Sequence, residues 1–185
     1  MNKTLLLLDC SEAVARVRAG DAEAFAVIVE QFQSPIVNYL FRLTGDVELA
    51  RDLAQETFIH AYKGLTGNRP VCSFRPWLYR IATNTALQHL RRQARVPFVP
   101  LDDCRVPGRG LDRADEDVNT AAVHEALLRV PEKLRVCVVL HFVDGFKHRE
   151  IAGMLGISED AARMRVNRGC AEFRRVYRAS GGALP

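Results

Sequence analysis

Arg163, Arg165, Asn167 and Arg168 lie within one short stretch near the start of the last predicted helix. Arginine can grip a guanine edge and asparagine an adenine edge, each with two hydrogen bonds, while further arginines hold phosphates. Met164 stands among them, Arg174 and Arg175 follow, and Arg149 lies on the helix before. The opposite stripe, Ala162, Val166, Gly169, Phe173 and Tyr177, has the spacing of a buried face. A solvated basic helix in a purely structural bundle would show the same charges. The segment just upstream favours DNA: Gly156-Ile157-Ser158 makes a tight turn, and Ser158 can cap the helix that follows. Helix, short glycine turn and capped helix together form a helix-turn-helix pattern.

A second basic stripe lies on FRPWLYRIATNTALQHLRRQAR, residues 74–95, where Arg80, Asn84, Gln88, Arg91 and Arg95 share one side. Phe74, Leu78, Ile81, Ala82 and Ala86 share another. Trp77 and Tyr79 near the start suit DNA with partly unstacked bases, because aromatic rings stack on exposed bases. Trp77 taken alone reads as a core residue, and the polar stripe fits DNA and plain solvation equally well.

A third cluster has the opposite character. In RDLAQETFIHAYKGL, residues 51–65, the residues Leu49, Ala50, Leu53, Thr57 and Ala61 fall on one helical face. Asp52, Glu56, Ile59 and Lys63 fall on the other, with Gln55 beside them. Single exposed apolar residues are common. A large aliphatic ringed by an amide and two carboxylates also suits a docking patch for a partner.

Other chemistry finds little support. There is no nucleophile–base pair, phosphate-binding loop, HExxH or glycine-rich dinucleotide turn, so no enzyme is expected. The five cysteines, Cys10, Cys72, Cys104, Cys137 and Cys170, are odd in number and form no CxxC, which argues against a disulfide framework or zinc ribbon. Cys137 and His141 are one helical turn apart, with His148 beyond, but a buried thiol and a helix histidine explain them. No metal or cofactor is expected.

The chain that must position these residues has 185 of them, 48% hydrophobic, enough for one large or two small cores. Its net charge of +4 permits a nucleic-acid partner without demanding one. MNKTLLLLDC is too short in apolar run for a signal peptide, no stretch is long enough for a membrane span, and the cytoplasm is expected.

Helical punctuation recurs. Gly20-Asp21 and Gly45-Asp46 each end one helix and cap the next, and Pro35 reads as opening a further helix carrying Ile36, Leu40 and Leu43. Residues 64–73 read as a loop and Ser73 as an N-cap. Residues 96–119 hold three prolines, two glycines and six acidic residues against three arginines, a linker of net charge −3. The segments before and after it carry +3 and +4. The expected fold is all-α: two small helical domains, residues 1–95 and 120–185, joined by a flexible acidic linker. The second domain reads as four short helices, the third covering about Lys147 to Leu155.

DLAQETF, FRPWLYRIATN and LHFVDGFKHREIAGMLGISEDAARMRVNR resemble, in order, the second and fourth conserved regions of bacterial RNA polymerase sigma factors. They are most similar to the compact extracytoplasmic-function (ECF) group of the sigma-seventy family, over roughly residues 10–178. The resemblance implies a factor that docks on core RNA polymerase, recognises a promoter and helps to open it. The clamp helices of the largest polymerase subunit would meet Asp52, Gln55, Glu56 and Ile59. The minus-ten element would meet Arg75, Arg80, Asn84, Gln88, Arg91, Arg92 and Arg95. The minus-thirty-five element would meet Arg149, Arg163, Met164, Arg165, Asn167 and Arg168. The linker would thread basic channels of the polymerase, and an anti-sigma partner is expected. The alternative is a stand-alone helix-turn-helix regulator. The chain departs from the family pattern at Lys147, where Ser or Thr usually caps the third helix; lysine cannot accept the orphan N–H bonds, so a frayed start is expected. It also departs at Asp160, Ala161 and Ala162, where Gly-Thr-Val is usual.

Overall fold

The computed structural model describes residues 10–67, 73–93 and 118–180. Every regular element among them is helical: α1 (Ser11–Arg18), α2 (Ala24–Thr44), α3 (Val47–Thr66), α4 (Phe74–Gln93), α5 (Val118–Leu128), α6 (Glu132–Val138), α7 (His148–Leu155) and α8 (Glu159–Ala179). A single π turn, Val139–Val143, continues α6.

Three of the predicted caps, Asp21, Asp46 and Ser158, work as side chains. Asp21 Oδ1 accepts the Glu23 and Ala24 N–H groups at 3.1 and 3.2 Å just before α2. The Arg16 guanidinium also bonds to Asp21 and holds its carboxyl below the usual range. Gly45, in the left-handed region at φ 79°, ends α2, and Asp46 opens α3 by accepting the Leu49 N–H at 3.1 Å. Ser158 Oγ accepts the Ala161 N–H at 3.1 Å and opens α8.

Helices α2, α3 and α4 pack together. Ile28, Phe32, Ile36 and Leu40 of α2 meet Leu53, Ala61 and Leu65 of α3 and Leu78, Ala82 and Ala86 of α4 in the core. Three buried hydroxyls are satisfied there: Thr57 donates to the Leu53 carbonyl, and Tyr39 and Thr83 bond to each other at 2.7 Å.

Several expectations change. Pro35 lies inside α2 instead of opening a new helix. A mid-helix proline costs about 3 kcal/mol or more. Ile28 and Phe32 before it and Ile36, Leu40 and Leu43 after it are all buried on one face, each contributing about 2 kcal/mol, so the continuous helix wins. Gly64 does not break α3, which runs on to Thr66. Its role is spatial: a Cβ there would lie 2.7 Å from the Trp77 ring, so the missing side chain lets α4 approach. Residues 68–72 of the expected loop lie outside the described residues, as do residues 96–117 of the expected linker. Helix α5 begins at Val118, inside the segment read as linker. The last helix is not short, with 21 residues. The start of α7 is better tied than expected, because Glu150 Oε2 accepts the Lys147 N–H at 2.8 Å. That is half of a capping box, supplied from the third residue instead of the first.

Helices α6, α7 and α8 form a second group, which does not stand apart from the first. Helix α4 packs on α7, and α2 packs on α5 and α6. Buried residues of both groups, from Val17 through Tyr79 to Phe146 and Val166, form one continuous core.

Candidate nucleic-acid interface

The outer face of α3 is as the periodicity predicts. Asp52, Gln55, Glu56 and Lys63 are exposed around Ile59, which is 53% exposed. The inner face, Ala50, Leu53, Ala54, Thr57, Phe58, Ala61 and Leu65, is buried and fixes the rotation of the helix. The patch is therefore an apolar centre with a polar rim, the anatomy of a protein docking site.

On α4, Arg80, Asn84, Gln88, Arg91 and Arg92 are exposed, and Arg95 lies outside the described residues. The two aromatics near its start are not open platforms. Trp77 packs across Gly64 and beside Phe74, at 5.7 Å between ring centroids. Tyr79 is 2% exposed, which corrects its reading as a base-stacking residue. It sits between Tyr39 and Phe146, at 5.1 and 4.9 Å, and no ring face remains free. Arg75, expected among the minus-ten contacts, turns into the seam between the two helix groups.

Helix α8 presents Arg163, Met164, Asn167 and Arg168 to solvent, with Met164 51% exposed. Arg165 is half-buried, lining a groove with Pro131, Leu134, Met164 and Arg168. Arg149, at the start of α7, is exposed as well. Asp160, an unwelcome charge near phosphates, is ion-paired with Arg163. Ala162, Val166, Gly169, Val176 and Tyr177 form the buried stripe. Gly169 is needed there, since a Cβ would lie 2.5 Å from Val138 Cγ2 and 3.2 Å from the Leu134 carbonyl. Helix α6 thus presses directly on the α8 backbone and sets the angle of its outer face.

The histidine and cysteine candidates are occupied otherwise. The Cys137 thiol is buried, and burial pushes it up to about 11. His141 Nδ1 bonds to the Phe146 carbonyl at 2.9 Å and its ring stacks on His148.

The seam holds residues that sequence reasoning missed. The Tyr79 hydroxyl donates to Asp144 Oδ1 at 2.9 Å. Arg75 donates to the Asp144 carbonyl at 2.5 Å and lies 4.2 Å over the Phe146 ring. Arg135, 8% exposed, donates to the Leu43 carbonyl at 2.8 Å. The His124 ring stacks on Phe41 at 4.3 Å. Burial pushes the Asp144 carboxyl up to about 6, against the pull of the Tyr79 hydrogen bond and of Arg42 and Arg75. The one sequence signal for this was Asp144-Gly145, which reads only as a helix stop.

Comparison with known proteins agrees with the arrangement. The family model for Sigma-70 region 2 matches residues 28–96, and that for Sigma-70, region 4 matches residues 120–173. The chain is 34% identical over 172 residues to the RNA polymerase sigma-H factor of Pseudomonas aeruginosa, across 85% of this chain and 88% of that protein. It is 29% identical over 180 residues to the ECF RNA polymerase sigma factor SigW of Bacillus subtilis, across 89% and 95%. The fold is similar to that of CnrH, solved in complex with the cytosolic domain of CnrY, with a TM-score of 0.68 at 24% identity over 90% of this chain and 96% of that one. It is also similar to the sigma factor RpoE of Bartonella quintana, solved in complex with the anti-sigma factor NepR, at 0.70, 16% identity, 85% and 98%. A polar-rimmed α3 patch, a basic α4 and a capped, arginine-rich α8, carried in this order on the two matched regions, mark the chain as a member of the sigma-70 family, in its ECF group, and as a promoter-recognising factor of transcription initiation.

Proposed function

We propose that Ile59, with Asp52, Gln55 and Glu56, docks on the clamp helices of core RNA polymerase. The exposed residues of α4, Arg80, Asn84, Gln88, Arg91 and Arg92, with Arg75 and Arg95, engage the minus-ten element. Arg149 and the outer face of α8, Arg163, Met164, Arg165, Asn167 and Arg168, engage the minus-thirty-five element in the major groove. Residues 1–95 and 120–185 act as the two promoter-binding units and residues 96–119 as their tether. The protein acts by binding and performs no reaction of its own. No helix among the described residues is long and apolar enough to cross a membrane, and the site of action is the cytoplasm. An anti-sigma protein is the expected regulator; CnrH is of similar fold and was solved with CnrY.

The observation that carries this reading is Ile59. It is a large aliphatic held in solvent by a fully packed inner face, on the same unit as a basic helix. A stand-alone duplex binder has no use for it. The test is transcription in vitro with purified core polymerase on fragmented genomic DNA, sequencing the transcript starts. The expected result is a set of starts sharing two upstream elements. A protein that fails to bind core, yet retards promoter duplex tightly by itself, is the stand-alone regulator instead.

A further inference from the structure

We infer that Met164 reads a thymine of the minus-thirty-five element by packing on its 5-methyl group, so that this chain's choice of promoter depends on a methyl contact. The inference rests on the promoter-reading function proposed above and names one base of that site.

The packing of α8 fixes where Met164 points. Ala162 and Val166 are buried on the inner stripe. Met164 lies two residues from each, about 200° round the helix, and faces outward. It is 51% exposed, a large apolar side chain in the middle of a basic face. Two of the charges beside it are already engaged. Arg163 is ion-paired with Asp160, and Arg165 is half-buried along the surface groove with Pro131 and Leu134. Asn167 and Arg168 stay exposed one turn further along the same side.

The partner follows from what a major groove offers. Base edges there are donors and acceptors, and their one apolar group is the 5-methyl of thymine. Met164 pressed on an amino group of adenine or cytosine, or on a guanine oxygen, would strip it of water and return no hydrogen bond. Pressed on a thymine methyl, it removes only apolar surface from water. Methionine suits the task, because its unbranched, polarizable side chain adapts to the surface it meets. Ala161 and Leu134, beside it along the surface groove, extend the apolar strip. From Met164 to Asn167 and Arg168 the helix rises roughly 4.5–6 Å, or one to two base pairs at about 3.4 Å each. The thymine is therefore expected one or two pairs from the adenine or guanine that Asn167 or Arg168 can grip.

Deoxyuridine tests the contact, since it lacks only the methyl group and keeps the hydrogen-bonding edge of thymine. The probe is the promoter that gives the strongest start in the transcription test above, with each thymine of its minus-thirty-five element replaced in turn on either strand. Binding by the full chain assembled with core polymerase is followed by fluorescence anisotropy. At one position the wild type is expected to lose about four-fold in affinity, the effect of one buried methyl group. Met164→Ala should bind the thymine and deoxyuridine duplexes equally, both about as weakly as the wild type binds the second. Arg168→Ala should bind both more weakly and keep the four-fold ratio; a ratio abolished there as well counts against Met164 as the reader. No loss at any thymine, or a loss that Met164→Ala leaves undiminished, overturns the methyl contact, and promoter binding that persists leaves the functional reading standing. A holoenzyme that binds the promoter no better than unrelated duplex overturns the functional reading and the methyl contact together.

Discussion

Tyr79 and Asp144, 65 positions apart, meet through a 2.9 Å hydrogen bond across the seam between the two helix groups. Tyr79 lies on the helix proposed to read minus-ten DNA, and Asp144 closes the π turn that precedes the helix-turn-helix. This contact helps to tie the two helix groups to each other.

The contact makes the packing of the two helix groups sensitive to pH. Burial raises the Asp144 carboxyl to about 6, above its ordinary 3.8, while Tyr79, Arg42 and Arg75 pull the other way. A raised carboxyl binds its proton more tightly in the packed seam than in water. The ionised group costs the packed seam at most about 3 kcal/mol at neutral pH, and that cost falls progressively as pH drops from 6 towards 3.8. Seam closure should strengthen from pH 7.5 to pH 5 and loosen on return. Scattering or interdomain energy transfer across this range checks it, and Asp144→Asn should flatten the profile.

Gly169→Ala should destabilise the helix-turn-helix group by about 1–3 kcal/mol. The new methyl would meet Val138 and the Leu134 carbonyl, and a backbone atom of a packed helix cannot step aside as a flexible side chain can. Urea unfolding followed by circular dichroism measures the loss. A change below about 0.5 kcal/mol would mean that α6 shifts freely.

Ile59→Asp and Glu56→Lys should each weaken core polymerase binding at least ten-fold, or about 1.4 kcal/mol, while leaving the melting temperature within a degree or two. Both residues are exposed and neither contributes to the core of α3. Fluorescence anisotropy with labelled protein and purified core is the measurement. Unchanged affinity in both variants makes the patch a solvent face only.

Arg168→Ala should lower promoter affinity. If Arg168 holds a phosphate, the slope of log affinity against log salt should fall by about one counterion. If it reads a base, specificity at one position should relax and the slope should stay nearly fixed. Binding titrations at several salt concentrations, on matched and singly mutated duplexes, separate the two.

Local pattern and tertiary contact divided this protein along a physical line. The 3.6-residue period, read over 47–66 and 159–179, already told which side of α3 and α8 faces inward, because amphipathicity is written along one helix. Asp46 and Ser158 told where those helices start, because capping is settled within four residues. The charges told that two basic helices flank an acidic segment. Other matters needed partners distant in sequence. Pro35 reads as a helix start until Ile28 and Leu40 are seen in one core. Gly64 looked like a breaker until Trp77 was found against it. Arg75 and Tyr79 looked available to DNA until Phe146 and Asp144 covered them. Periodicity shows that a helix has an apolar or a charged face, but the neighbour that covers the face depends on how distant segments pack. In this chain that packing decided the shared core, the burial of Asp144 and the seam between the two helix groups.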